Sequence, residues 1–313
     1  MAMRKPIITI ITSVFNGEKY IAETIDSVLS AAKNIDFEYL IINDGSTDST
    51  PEILSTYLPK IKVINKSNSG ESESVTKGFQ EAQGEFVMVL SADDPLFTSE
   101  IFEEVFNWFE NNSNLVAVYP DWRMIGPAGE VIKIIKVDDY SDELLIGECK
   151  TLPGPGVIIR KSAALKIGGR RKKWVFVGDY DFWLRLSRVG EIRHRSNVLS
   201  QWRMHPDSTS INRRGLKMAQ ERIAVVEEFL HENKIDPKLQ KKALGSAYYM
   251  AARLIFFDRK VPAKKYLFLA FKYRGGWIKD AKIIVILYIL LHPLGYYAFK
   301  VAKKFVPIPV PLS

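Results

Sequence analysis

The stretch "VLSADDPLF" (89–97) sets two carboxylates, Asp93 and Asp94, directly behind an apolar run. Adjacent acids repel, and Pro95 keeps them from being absorbed into a helix. One chemistry that suits such a pair is a divalent cation held between the acids and a ligand's oxygens. A strand that ends in a polar turn is the other reading, and the pair alone does not separate the two. Further acids stand where similar chemistry is open to them. Asp44 follows a second apolar run in "NDGSTDST", and Asp179 opens a helical pattern in "VGDYDFWLRL".

The elements that must position these residues follow from periodicity. "IITIITSVF" (7–15), "FEYLIIND" (37–44), "IKVINKS" (61–67) and "EFVMVLSADD" (85–94) read as strands rich in β-branched residues. Between them, 17–33, 49–58 and 72–84 carry helical spacing, the second with Pro51 in its first turn and the third ending at Gly84. Strand and helix in alternation predict right-handed crossovers and a mostly parallel sheet flanked by helices. Ligands of such sheets bind beyond the carboxyl ends of the strands, where Thr12, Asp44, Gly70, Asp93 and Asp94 all fall. From 96 to about 210 the pattern is less regular, with strands such as "LVAVYPDWRMI" and "PGPGVIIR" and then a helix, "YDFWLRLSRVG"; beyond 213 it is helical.

The 313 residues carry a formal charge of +8, and that charge is uneven. From residue 260 onward ten basic residues face one acid, Asp280, while the remaining 34 basic and 35 acidic residues nearly cancel. A nucleic-acid partner inferred from overall basicity is therefore excluded. The basic tail is interleaved with "IIVILYILL", a composition suited to an anionic membrane surface. Its apolar run, 283–299, is broken by His292 and Pro293 and falls short of the roughly 20 residues of a spanning helix. An interfacial or re-entrant helix pair is preferred there to a clean span. The single cysteine, Cys149, excludes an intrachain disulfide, and no secretory signal is visible at the N-terminus.

Five segments, "TSVFNGEKYIAETIDSVL", "INDGSTDST", "NSGESESVTKGF", "LSADD" and "GDYDFWLRL", occur in the order and spacing of family 2 glycosyltransferases, which this chain resembles over about residues 5–210. The resemblance implies the GT-A fold, a Rossmann-like α/β architecture, over 1–212. A helical subdomain would follow over 213–275, then a membrane-associating tail over 276–313.

The resemblance also implies roles. Asp44 would accept a hydrogen bond from a nucleotide base, with Thr12, Asn16 and Asn43 lining the nucleotide-sugar site. Gly70 would admit a diphosphate near a helix N-terminus, with Arg203 and Lys77 as its cationic partners, an exposed helical lysine being the other reading of Lys77. Asp94 would hold Mn²⁺ or Mg²⁺, Asp93 the ribose or the metal, and His205 in "QWRMHPDSTS" would be an additional ligand, with a structural histidine before Pro206 as its competing role. Asp179 would be the base that deprotonates the acceptor hydroxyl, with an N-cap as its competing role; Asp181 would cap or support the same helix. Ser91, Asn43 and Gly178 stand where relatives often carry acids. The expected activity is inverting transfer from a nucleoside-diphosphate sugar to a glycan or lipid-linked acceptor, at the cytoplasmic face of a membrane. Transfer directly to a polyprenyl phosphate, or nucleotide-sugar binding without catalysis, are the alternatives.

Overall fold

In the computed structural model, Ile8–Val14 (β1), Phe37–Asn43 (β2), Lys62–Asn65 (β3) and Phe86–Val89 (β4) pair in parallel, in the spatial order β3-β2-β1-β4. The structure describes residues 6–103, 105–109, 112–206, 208, 215–255 and 263–274. The expectations for the tail, 276–313, lie outside the described residues.

Helices Ile21–Ala31 (α1), Thr50–Thr56 (α2) and Glu71–Glu81 (α3) make the crossovers. β1 is buried on both faces, which is why it reads as a continuous apolar run rather than an alternation. Ile8, Ile10, Ile41 and Met88 join Ile21, Ile25 and Val28 of α1 in one core. On the other face α3 comes close to β1, because Gly78 has no side chain. A Cβ built there would lie 2.4 Å from Ile11 Cγ2.

The fourth strand is shorter than its apolar run predicts. Leu90 N–H still donates to the Ile11 carbonyl, but the chain then turns, and Asp94 N–H donates to the Ser91 carbonyl at 3.3 Å. Two adjacent acids followed by proline suit a turn better than a ladder. The acids thus sit beyond the strand end, not on it.

Glu100–Glu103 (α4) and Val105–Phe109 (α5) lead to Leu115–Ile125 (β5) and Val131–Ile135 (β6), which form an antiparallel pair. Ile158–Arg160 (β7) inserts antiparallel between β4 and β5. Lys161–Lys166 (α6) and Gly178–Leu186 (α7) precede Glu191–Arg203 (β8), which runs parallel to β5 along its whole length and sets Arg203 opposite Ile125. The result is a mixed, mostly parallel eight-stranded sheet flanked by helices.

The chain forms two compact units. The first comprises the described residues of Met1–Ser141 and Thr151–Arg213; the second comprises those of Asp142–Lys150 and Arg214–Ser313. The second holds a π-helical turn, Glu143–Gly147, and the helices Leu216–Glu232 (α8), Pro237–Ile255 (α9) and Ala263–Arg274 (α10). Residues 142–150 thus group with the helices, which differs from a first domain running unbroken over 1–212. The cause is local: Lys242 Nζ reaches Glu143 at 2.5 Å and Glu148 at 2.8 Å, and Cys149 Sγ donates to the Ala243 carbonyl.

Candidate active site

The ends of β1, β2 and β4 and the loop after β3 converge at one edge of the sheet. There the chain's own polar groups are closely knit. Asn16, in a left-handed conformation (φ 54°), accepts the Thr47 N–H at 2.8 Å, and its own N–H donates to Ser46 Oγ. Asn43 is buried, donating to Asn65 and accepting the Ser46 N–H. Both residues therefore hold the loop after β2 in shape. Asp48 accepts from the Thr50 N–H at the start of α2.

Asp44 is 2% exposed. Its Oδ1 accepts the Ser69 N–H and its Oδ2 the Gly70 N–H, each at 2.9 Å, and Lys66 Nζ forms an ion pair with it. Burial alone would raise this carboxyl; the Lys66 ammonium and the two backbone donors outweigh it and hold Asp44 below the usual carboxylate range. Gly70 (φ +94°) then opens α3, with open space where a side chain would stand. Sequence reasoning missed Lys66. Its signal was position, since it follows β3 at the same sheet edge as Asp44.

The two neighbouring acids point in different directions. Asp94 is 2% exposed, and its Oδ1 accepts the Arg203 N–H at 2.7 Å. Burial, and then the adjacent Asp93 charge, push its carboxyl well above the usual range. Asp93 is partly open, and its Oδ2 lies 2.8 Å from His205 Nε2. The Tyr20 ring lies 4.9 Å from the His205 ring and 4.9 Å from the Arg203 guanidinium.

Arg203 is 1% exposed, and its donors are committed to the chain itself. Nε donates to the Asp93 carbonyl at 2.9 Å, Nη1 to the Pro127 carbonyl at 2.9 Å, and Nη2 to Glu23 at 2.7 Å. It ties α1, the acid turn and the β5–β6 turn together, so it is not presented to a diphosphate as the resemblance implied. Lys77 is likewise engaged within the chain, in a half-buried i,i+4 pair with Glu81 at 2.7 Å. Thr12 is fully buried against the Tyr39 hydroxyl, 3.1 Å away.

Asp179 stands exposed in the first turn of α7, where its Oδ1 accepts the Tyr180 N–H at 2.7 Å. The start of α7 abuts the start of α3: a Cβ on Gly178 would lie 2.7 Å from Ser72 Oγ. The base candidate is thus linked to the Asp44–Gly70 loop through one turn of α3. Asp181 faces inward and takes the Arg185 fork at 2.9 and 2.7 Å, so it braces the helix instead of capping it.

Among the described residues no group of three or more His, Cys, Asp or Glu side chains is assembled as a metal cage. The donor set nevertheless fits a hard divalent cation. Asp93 and His205 offer one oxygen and one nitrogen, and such ions take remaining ligands from phosphate and water. His205 Nδ1 and the Tyr20 hydroxyl are also buried without a hydrogen-bond partner among the described residues. The polar demand there exceeds what the chain supplies.

The model of glycosyl transferase family 2 matches residues 9–128. An uncharacterized glycosyltransferase of Rickettsia typhi is 31% identical over 220 residues, 66% of each chain. The chain belongs to glycosyltransferase family 2. The hyaluronan synthase of Pasteurella multocida is 27% identical over 288 residues, covering 90% of this chain and 28% of its own. The chain spans two thirds or less of the length of these relatives. Among solved structures, S. aureus TarS 1–349 in complex with UDP-GlcNAc aligns over 94% of this chain and 87% of its own, with a TM-score of 0.63 and 15% identity. A Pyrobaculum calidifontis mannosyltransferase in complex with GDP-Man and Mn²⁺ aligns over 89% of each chain, with a TM-score of 0.54 and 14% identity. At such identities these likenesses establish the GT-A fold of this glycosyltransferase family member, and no more.

Proposed function

We propose that this chain is an inverting glycosyltransferase that moves a sugar from a nucleoside-diphosphate donor to a hydroxyl of a glycan or lipid-linked acceptor, in polysaccharide assembly. One observation carries the reading: the Asp93–His205 pair and the Asp44-held loop follow parallel strands that end at one edge of the sheet, and the Asp179 turn abuts the first turn of α3, which that loop opens. The donor class is supported by the UDP-GlcNAc and GDP-Man complexes of the two solved neighbours. Polymer synthesis is supported by the hyaluronan synthase and by a Pasteurella multocida chondroitin synthase, 29% identical over 212 residues.

In this reading Asp44 takes a base N–H in exchange for one of its own loop donors, with Asn16 and Asn43 keeping the loop walls in register. Gly70 leaves room for phosphate oxygens beside the first turn of α3. Asp93 and His205 would hold the divalent cation, which when bound supplies charge neutralisation for the departing diphosphate. Asp94 serves from inside, fixing the turn that aims Asp93. Asp179 removes the proton from the acceptor hydroxyl during in-line attack. Residues 276–313 would keep the chain at an anionic, cytoplasmic membrane face.

Donor hydrolysis, assayed with Mn²⁺ and with chelator, tests the metal; hydrolysis indifferent to chelator removes it from the scheme. Asp179→Asn tests the base. Turnover is expected to fall by about 10²–10⁴-fold while the donor still raises the melting temperature. Full activity in that variant overturns the assignment.

A further inference from the structure

The outer face of α10 (Ala263–Arg274) carries two large aromatic side chains in water. Phe268 is 68% exposed and Phe271 50%. Their orientation is imposed from the opposite face. Ala263, Leu267 and Ala270, spaced by four and three, are buried, and Ala263 packs with Ala251 and Ile255 of α9 and Ala219 and Ile223 of α8. Tyr273 stacks on Tyr248 of α9 at 5.7 Å with ring planes 6° apart, and Tyr266 lies 6.1 Å from the same ring. With that face held, residues 265, 268 and 272 form the outward stripe, because helical neighbours recur every three or four residues.

Lys265 and Lys272 are exposed on that stripe, on either side of Phe268. The helix contains no acid at all. Exposed aromatics bracketed by lysines on an acid-free helix match the chemistry of an anionic lipid surface, with rings at the acyl boundary and ammonium groups at the phosphates. The chain that continues from this helix, 275–313, is itself basic and apolar, with Asp280 its sole acid. We infer that the Lys265–Phe268–Phe271–Lys272 face of α10 is a docking surface for an anionic membrane, separate from the tail. It assigns a lipid partner to the folded helical unit, so it stands or falls independently of the tail reading above.

The test is flotation of the full chain with phosphatidylcholine vesicles, with and without phosphatidylserine. Phe268→Ser/Phe271→Ser should weaken binding by about tenfold or more, since two partly inserted rings are lost. Its melting temperature should be unchanged. Lys265→Gln/Lys272→Gln should weaken binding only where phosphatidylserine is present. Unchanged binding by the phenylalanine variant overturns the inference. So does a fall in its melting temperature, which would mean that the rings pack against the chain's own tail. A shift of that variant to a smaller species on size exclusion also overturns it, in favour of a second copy of the chain. Lys300→Gln/Lys303→Gln/Lys304→Gln, made in the full chain, reads the tail separately. Loss of binding in that variant alone refutes the α10 surface and leaves the tail; loss in the phenylalanine variant alone does the reverse.

Discussion

His205 Nε2 lies 2.8 Å from Asp93 Oδ2, while the next carboxylate along the chain, Asp94, turns inward to the Arg203 backbone N–H at 2.7 Å. Two chemically identical neighbours therefore occupy opposite environments, one open and paired with an imidazole, the other buried and bonded to the main chain.

That division predicts an unequal response to substitution. His205→Ala or Asp93→Asn should raise the Mn²⁺ concentration needed for half-maximal donor hydrolysis by roughly 10–100-fold, the scale seen when a metal's close environment is disturbed. The fold should survive. Metal titration with circular dichroism on the same samples checks both halves, and an unshifted titration would remove the pair from the metal site.

Arg203 should matter to stability more than to chemistry. Arg203→Ala leaves the Asp93 and Pro127 carbonyls without their donors and empties a buried volume. Each unsatisfied buried group costs about 1–3 kcal/mol, so a loss of several kcal/mol is expected in urea unfolding. Arg203→Lys should recover only part of it, because an ammonium cannot replace a planar fork. A loss under about 0.5 kcal/mol, the range of ordinary surface substitutions, would contradict the hub.

Asp44 predicts a pH dependence of stability. Its carboxyl lies below the usual range in the folded chain, so the contribution is complete above the unfolded value of about 3.9 and is lost as pH falls through the folded one. The stability gap between the wild type and Asp44→Asn should stay constant from neutral pH down to about 5, then shrink in more acid solution. Thermal melts across that range measure it; a gap that widens on acidification would contradict the clamp.

Gly78 predicts a packing penalty. The added methyl of Gly78→Ala would meet Ile11 Cγ2 at 2.4 Å, a side chain in the middle of β1. The helix propensity gain of about 1 kcal/mol opposes an overpacking cost of about 1–3 kcal/mol. Net destabilisation is expected in chemical denaturation. The double variant Gly78→Ala/Ile11→Val, which makes room, should recover part of it.

Much of this architecture is legible in the residues. β1 and β2 announce themselves as β-branched runs because both faces of a parallel strand are buried, and the helices between them carry the matching stripe. The acids at 44, 93 and 94 stand where strands hand over to loops, which is where such a sheet binds ligands, and Asp179 stands where a helical pattern opens. The strand in "PGPGVIIR" was legible and forms β7, Ile158–Arg160, but three residues carry no sign that it would insert antiparallel between β4 and β5. Lys77 and Lys66 show a second limit. A lysine on a helix finds its partner one turn away, at Glu81, whereas the lysine after β3 meets an acid 22 residues earlier in the chain.

By itself, then, the sequence determined the alternation of strands and helices, the family, and the set of acids available at the sheet edge, because those depend on local periodicity and residue type. Only the tertiary structure decided that Asp93 faces outward and Asp94 inward, and that Arg203 braces the site instead of reaching for a ligand. Those outcomes rest on contacts between residues more than one hundred positions apart. Such contacts form only when β8 runs beside β5 and delivers its last residues to the acid turn.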